Sequence, residues 1–277
     1  MALAPLPTEI LEVASVCELV DGDWVSRYCI GDLHQSLYPA SIAKVFIAAE
    51  VLRQIEAGIL LLSDIVKITQ NNVANTDLSD FPFDSRPLLN SADEITIEYA
   101  LDLMLSRSDD TASNQLIDLV TREAVNEYTV SNLGMQGSEI TRKYCSRDRE
   151  DDQYKKALIT MCLPRHIEIF FQRLRQGKIH SPFVSEKLSK YMQKETGSDN
   201  LSFLHEKHLC IYKGGYLKST IYDGRACVWR HYALTVEVNG KTFSIILFSI
   251  VKSEFENVAM IEGRLRDIFR KYVLLSK

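Results

Sequence analysis

Two side chains able to serve as nucleophile and base lie three residues apart near the start of an apolar segment. Ser41 and Lys44 form a Ser-x-x-Lys pattern just after Pro39. Residues with this spacing share one face of a helix. A lysine among apolar side chains has its charged form disfavoured, so it can accept a proton near neutral pH. A serine beside such a lysine is an activated nucleophile, suited to acyl transfer.

The same pattern occurs a second time, at Ser249 and Lys252. That segment is rich in β-branched and aromatic residues and is predicted to be a strand, where residues i and i+3 point to opposite faces. The second pair therefore cannot form a dyad. Taken alone, Ser41 and Lys44 also fit a serine near a helix start and a lysine whose aliphatic stem packs along the helix.

Two further segments combine polar and small residues at the ends of predicted elements. Ser108-Asp109-Asp110 separates two predicted helices, and Lys213-Gly214-Gly215 follows a predicted strand. Each has an ordinary structural interpretation. The first fits a helix N-cap, and the second fits a glycine pair that lets another backbone approach closely.

In order and context, these three segments resemble the signature of class A β-lactamases and penicillin-binding proteins. The chain resembles this group of serine hydrolases over nearly its whole length. The resemblance implies that Ser41 is the acylated nucleophile and that Lys44 accepts its proton. It also implies that Ser108 relays a proton to the leaving nitrogen and that Lys213 binds a substrate carboxylate.

The resemblance further implies substrate contacts at Asp110, Gly215 and Tyr216. The backbone N–H groups of Ser41 and Tyr216 would form the oxyanion hole of the acyl-transfer step. The Tyr216 side chain would wall the cleft.

Three positions depart from the pattern of that group. Asp110 replaces an Asn; an ionised Asp only accepts hydrogen bonds, and its charge favours protonated Lys44. Gly214 replaces a hydroxyl-bearing residue. Arg147 stands where the group has the Glu that activates the deacylating water, with Asp151 in place of an Asn. We therefore expect efficient β-lactam hydrolysis to be absent.

The elements that must position these residues follow from periodicity and turn signals. Asn239-Gly240 predicts a hairpin turn. Residues 136–155 form an irregular, charged segment, called the 136–155 loop below. Irregular segments of this length in compact proteins more often have a function than not. Predicted helices cover 8–20, 39–58, 96–106, 110–121, 121–132, 164–176, 183–194 and 254–273; predicted strands cover 24–30, 209–216, 225–238 and 242–251; a long loop covers 69–94.

These elements predict an α/β fold of the α+β sandwich type, in which an antiparallel sheet is flanked by terminal helices. An all-α domain is inserted between the two sheet-forming parts, as in the β-lactamase/transpeptidase architecture. The predicted domains are 1–38 with 180–277 for the α/β part and 39–179 for the helical part, with the active-site cleft between them.

Composition and charge limit the classes of partner that the protein is expected to bind. The 277 residues are 46% hydrophobic and 25% charged, with a net charge of −5. Because no basic stripe is present, nucleic-acid binding is not expected. No membrane span, metal or other cofactor is predicted. The N-terminus lacks a signal-peptide pattern, and six cysteines without zinc spacing indicate free thiols, so a cytoplasmic location is expected.

The predicted function is that of a serine acyl-transfer hydrolase acting through an acyl-enzyme on Ser41. Its substrate would be a small-molecule or peptide-like anion, a carboxylate-bearing amide, ester or lactam, and the protein would be a poor or inactive β-lactamase. A catalytically impaired binding protein that keeps the cleft is the alternative. The three departures favour the binder, whereas retention of all four reactive side chains favours the enzyme. No oligomeric state is predicted.

Overall fold

The computed structural model describes residues 10–75, 77–78, 81, 83–222, 225–252 and 258–275. The chain divides into two compact units. The sheet unit comprises Met1–Ile42, Leu163–Gln176 and Gln193–Lys277, and the helical unit comprises Ala43–Cys162 and Gly177–Met192.

Eight strands and seven α-helices organise the described residues. The strands are β1 (Ile10–Val20), β2 (Asp23–Ile30), β3 (Ile65–Lys67), β4 (Glu94–Thr96), β5 (Gln193–Glu195), β6 (Leu209–Tyr222), β7 (Arg225–Val238) and β8 (Lys241–Lys252). The helices are α1 (Lys44–Glu56), α2 (Ile97–Asp102), α3 (Asp110–Val120), α4 (Arg122–Glu127), α5 (Pro164–Arg175), α6 (Pro182–Met192) and α7 (Val258–Phe269).

The sheet unit is built on six antiparallel strands in the order β2-β1-β8-β7-β6-β5. β7 and β8 are joined at Asn239 and Gly240, both with positive φ, which is the conformation of a tight hairpin turn. One face packs with α7 in an apolar core that includes Leu234, Ile245 and Leu265. α5 packs against β7 and β8. The predicted α/β class with an antiparallel sheet is confirmed.

The prediction of a helix over 8–20 is wrong, because the described residues 10–20 form strand β1. This strand lies between β2 and β8, and side chains on both of its faces are buried: Ala14 and Val16 on the face that packs with α7, and Val13 and Cys17 on the other. A strand covered on both faces loses the period-2 alternation that identifies a half-exposed strand. Its apolar run therefore resembled a helix.

The helical unit is built around α1. Every residue from Lys44 to Leu52 is buried, and α1 packs against α3 and α6. The predicted helix is confirmed, although residues Ala40–Ala43 form a 3-10 turn before it. α2 and α4 each continue into a π-helical turn, at Leu103–Arg107 and Tyr128–Asn132.

The boundaries of the two structural units differ from those of the predicted domains. Residues 163–176 group with the sheet because α5 packs on β7 and β8. Residues 177–192 group with the helices because α6 packs on α1. The first boundary falls after Ile42, so Ser41 belongs to the sheet unit and Lys44 to the helical unit.

Candidate active site

Ser41 lies on a strained turn, defined here as the Ser41 turn, residues 38–42. Ala40 has a φ of 48°, in the left-handed region, which is unfavourable for residues with a Cβ. The Ile42 N–H donates to the Pro39 carbonyl over 3.1 Å, and the Ser41 side chain is half-buried. Such a conformation persists only where the surroundings impose it.

Gly215 is one residue that imposes it. A Cβ placed on Gly215 would stand 2.8 Å from the Pro39 carbonyl oxygen and 3.1 Å from the Ala40 Cβ. Only a glycine therefore lets β6 approach the Ser41 turn this closely. The close backbone approach expected at the glycine pair is present.

Gly214 has a different reason to lack a side chain. The phenol of Tyr212 lies where a Cβ on Gly214 would be, in contact closer than any real Cβ permits. Tyr212 is buried, packs near Tyr232 at a ring-centroid distance of 6.4 Å, and has its pKa raised by that burial. The Tyr212 phenol therefore occupies the space that the hydroxyl-bearing side chain of the resembled group would need at position 214.

Lys213 and Tyr216 project from opposite faces of the sheet. Successive side chains along a strand alternate between the faces, and these two residues are three positions apart. Lys213 is buried at 3% exposure and pairs with Ala233, whereas Tyr216 is 44% exposed and pairs with Arg230. The two side chains therefore do not share a surface of the sheet, and the expectation that Tyr216 walls the cleft stays a prediction. The backbone N–H of Tyr216 remains a candidate oxyanion donor.

Arg230 is a cation of the sheet unit that sequence reasoning missed. Its guanidinium carbon lies 5.4 Å from the Tyr216 ring centroid, its Nε donates to the Tyr232 hydroxyl over 2.9 Å, and its Nη2 is 3.7 Å from Glu262. The position follows from the β6–β7 register, which the sequence does not reveal. The side chains of Lys218 and Arg225, two other cations of β6 and β7, lie outside the described part of the chain.

In the helical unit, the structure brings Lys44, Ser108 and Asp110 together. The Lys44 side chain is fully buried, and its Nζ donates to Asp110 Oδ1 over 2.6 Å. It also donates to the Ser108 carbonyl over 2.6 Å and lies 3.3 Å from the Ser108 Oγ. The Asp110 carboxylate is 34% exposed. A buried ammonium needs such partners to offset its lost hydration.

The junction between α2 and α3 positions Ser108 and Asp110. Ser108 ends the π-helical turn in a left-handed conformation, with φ 68°. Asp109, fully buried, is the N-cap of α3, and its carboxylate accepts the Ala112 N–H over 2.8 Å. The predicted N-cap is confirmed. Ser108 and Asp110 therefore flank the cap and reach Lys44 from either side of it.

Tyr144, in the 136–155 loop, covers the same lysine. The Lys44 Nζ lies 4.5 Å from the Tyr144 ring centroid, within the range of a cation–π interaction. Asn114 of α3 fixes the Tyr144 backbone, accepting its N–H over 2.7 Å and donating to its carbonyl over 3.2 Å. Sequence reasoning missed Tyr144, since a long-range contact of this kind has no local signal.

The residues expected to replace the deacylating Glu and its Asn have other contacts. Arg147 donates from Nη1 to the carbonyls of Lys155 and Ala157, at 2.6 and 3.3 Å. Asp151 lies 3.3 Å from Arg122 and 3.4 Å from Lys143. Both side chains therefore stabilise the 136–155 loop. Within the part of this loop that the structure describes, Tyr144 is the residue that meets Lys44.

Glu150 is a buried carboxylate of the same loop, and its oxygens are engaged. It pairs with Arg122 and accepts the Lys143 N–H over 2.8 Å. Lys143 in turn pairs with Asp118 of α3 over 2.6 Å. Breaking a buried pair of this kind leaves an uncompensated charge. Glu150 therefore connects the 136–155 loop to α4 through its ion pair with Arg122.

Comparison with known proteins gives the family to which the chain belongs. Residues 19–254 match the Beta-lactamase enzyme family. The fold is that of a β-lactamase-like serine hydrolase, and the chain belongs to the β-lactamase enzyme family. No curated protein sequence matches the chain.

Solved structures share the fold at low sequence identity. A β-lactamase from Sphaerobacter thermophilus DSM 20745 has a TM-score of 0.73 at 20% identity, covering 97% of this chain and 94% of that one. PBP-A has a TM-score of 0.71 at 17% identity, with 95% and 90% covered. A class A β-lactamase from Mycobacterium abscessus has a TM-score of 0.68 at 16% identity, with 94% and 93% covered.

The helices of the structure are short. Among the residues it describes, none forms a helix both long and apolar enough to cross a bilayer.

Proposed function

We propose that the protein is a serine acyl-transfer hydrolase that forms an acyl-enzyme on Ser41 and releases it slowly. The supporting observation is the fully buried Lys44 with Ser108 and Asp110 around its Nζ. Burying an ammonium costs several kcal/mol unless it is paired. A chain that needed only a stable helix would place an apolar residue there, so the retained lysine supports a chemical role.

The proposed acylation has three proton transfers. The Ser41 Oγ bonds to the substrate carbonyl carbon while its proton passes to the neutral Lys44 amine. The bond from that carbon to the leaving nitrogen or oxygen then breaks, and the leaving atom takes a proton from Ser108, which Lys44 resupplies. The 3.3 Å between Lys44 Nζ and Ser108 Oγ supports this relay.

Asp110 makes the first transfer harder. Its carboxylate stabilises the ammonium form of Lys44 at 2.6 Å, and a protonated amine cannot accept the serine proton. An amide at this position would keep a hydrogen bond to Nζ without the negative charge. The proposed acylation is therefore slower than in a protein with Asn at this place.

The contacts of the 136–155 loop support slow deacylation. Hydrolysis of an ester intermediate needs a base to activate water. Glu150 is paired with Arg122, Arg147 contacts backbone carbonyls, and Tyr144 covers Lys44. With these groups engaged, the acyl-enzyme persists, and β-lactams are bound covalently rather than turned over efficiently.

The proposed substrate bears a carboxylate. Lys213 is retained and buried on β6. This cation supports an anionic ligand, since lysine and arginine are the usual carboxylate partners. Arg230 is not part of the proposed ligand site, because it pairs with Tyr216 on the opposite face of the sheet from Lys213. The ligand class remains an amide, ester or lactam with such a group.

The six cysteines support a reducing compartment, such as the cytoplasm. All six are free thiols, and four of them are buried. Structural disulfides are typical of oxidising compartments.

A non-catalytic binding protein is the second candidate. The ion pair to Asp110 and the carbonyl of Ser108 already occupy the Lys44 ammonium. This candidate predicts ligand binding without covalent reaction.

The two candidates are distinguished by intact mass after incubation with a penicillin, a cephalosporin and a fluorophosphonate. The proposed enzyme gains the mass of at least one probe, and Ser41→Ala does not. Ser26→Ala, at an exposed position of β2, is the matched control and should react as the unchanged protein does. Reversible binding with no adduct would establish the binding protein instead.

A further inference from the structure

His231 is a fully buried histidine of the sheet unit, placed directly across from Gly215 on β6. Both of its ring nitrogens are engaged. Nε2 lies 3.0 Å from the Tyr38 carbonyl oxygen, and Nδ1 accepts the Ser249 N–H over 3.2 Å. The ring stacks on Phe248 at a centroid distance of 4.3 Å.

These contacts determine the tautomer. Because Nδ1 accepts a backbone N–H, it carries no proton, so the proton resides on Nε2 and is donated to Tyr38. Burial lowers the pKa of His231 to about 4. The imidazole is therefore neutral at physiological pH and donates in one direction only.

The accepting carbonyl belongs to the Ser41 turn. Tyr38 packs its ring edge-on against Trp229 at 6.0 Å. Two residues later Ala40 has its left-handed φ of 48°, and Gly215 contacts Pro39 and Ala40. Thus one cross-strand pair, Gly215 with His231, holds this turn from two sides.

We propose that His231 is a positioning residue for Ser41, acting through the hydrogen bond from its Nε2–H to the Tyr38 carbonyl. The bond fixes the strained turn, and with it the direction of the Ser41 hydroxyl and amide. This inference rests on the proposed acylation of Ser41. Since misplacing a reacting group slows chemistry more than it weakens binding, the loss should fall on the acylation rate constant.

Two substitutions separate the two hydrogen bonds. The amide nitrogen of His231→Gln reaches the place of Nε2 and can donate to Tyr38. The amide oxygen of His231→Asn reaches the place of Nδ1 and can accept from Ser249, but leaves Tyr38 without a donor. Both lose the ring stacking on Phe248, so their thermal stabilities serve as matched references.

Two readouts are measured on the full chain: the rate at which a fluorophosphonate phosphonylates Ser41 at several probe concentrations, and hydrogen exchange of the amides of residues 40–43. We expect His231→Asn to lower the maximal phosphonylation rate by about tenfold or more with little change in half-saturation, and to speed exchange. His231→Gln should stay within about threefold in both. Equal effects in the two variants would overturn the proposal.

The exchange readout does not need a reactive serine. If the unchanged protein forms no adduct while His231→Asn alone speeds exchange, the proposed function fails and the positioning of the turn stands. If exchange in residues 40–43 is unaltered in His231→Asn, the positioning role is refuted whatever the labelling result.

Discussion

The Nζ atom of Lys44 lies 2.6 Å from Oδ1 of Asp110, within the helical unit. Lys44 is fully buried and the carboxylate is about two-thirds buried, so solvent screens the pair only in part. The Asp110 carboxylate therefore opposes the role of proton acceptor proposed for this amine, because its negative charge favours the ammonium form. This contact makes Asp110 the residue whose substitution tests the proposed acylation most directly.

Asp110→Asn should accelerate acylation. The amide oxygen can keep the hydrogen bond to Lys44, whereas the negative charge that favours the ammonium form is removed. We expect the rate at which a fluorophosphonate phosphonylates Ser41 at pH 7 to rise by about tenfold, a part of the about 100-fold or more that a general base contributes. Stopped-flow or intact-mass kinetics would measure it.

Asp110→Ala is the reference for that experiment, because it removes the charge and the hydrogen bond together. It should give a smaller gain than Asp110→Asn, since Lys44 loses a positioning contact. A slower reaction in Asp110→Asn than in the unchanged protein would show that the carboxylate assists proton transfer.

Tyr144→Glu should shorten the lifetime of the acyl-enzyme. Tyr144 is the described loop residue over Lys44, and its backbone is fixed by Asn114. A carboxylate at this place supplies a general base, which contributes about 100-fold or more in favourable cases. The half-life of a penicillin adduct, followed by intact mass, is the measurement.

Tyr144→Gln, similar in shape but without a base, should leave the adduct long-lived. Equal lifetimes for the Glu and Gln variants would indicate that the 136–155 loop does not deliver its side chain to the ester.

Gly214→Ala should destabilise the fold. The added Cβ would meet the Tyr212 phenol, and overpacking of this kind costs about 1–3 kcal/mol. Combining it with Tyr212→Leu, which removes the phenol, should cost less than the sum of the two single changes. Urea denaturation of the three variants tests this coupling, and strictly additive losses would contradict it.

His231 should make stability fall in mild acid. The folded pKa is lowered to about 4 from 6.5 by burial, so the unfolded chain binds a proton first as pH falls. Its stabilising effect is complete above about pH 6.5 and is lost progressively toward pH 4, to a total of about 3 kcal/mol. Unfolding free energies at pH 7.5, 6.0 and 4.5 would show the loss.

His231→Gln removes this titration and is the control for other acidic groups. Its free energy of unfolding should change less than that of the unchanged protein over the same range. Parallel pH curves for the two proteins would mean that His231 does not titrate differently on folding.

The sequence was sufficient to select Lys44 and Ser108 as candidate site residues that lie close together. Lys44 and Ser108 belong to segments with local signals, an apolar helix and an N-cap, and the structure brings them together around Nζ. Tyr144 and Arg230 were not predictable, because each reaches its place through tertiary contacts, with Asn114 or across the β6–β7 register. Such pairings have no periodic pattern in the chain.

The same distinction applies to the fold. The β7–β8 hairpin was predictable from Asn239 and Gly240, whose turn chemistry is local. Strand β1 was not, because its burial on both faces depends on its central place in the sheet. The grouping of α5 with the sheet likewise depends on its packing against β7 and β8, which the sequence of α5 alone does not indicate.

The most direct test of the account is to locate the covalent adduct. After fluorophosphonate or penicillin treatment, tryptic digestion and tandem mass spectrometry should find the added mass on Ser41, within the peptide of residues 28–44. Ser41→Ala should carry none, and Asp110→Asn should reach full labelling sooner. An adduct on another residue, or no adduct with any probe, would contradict the proposed acyl transfer.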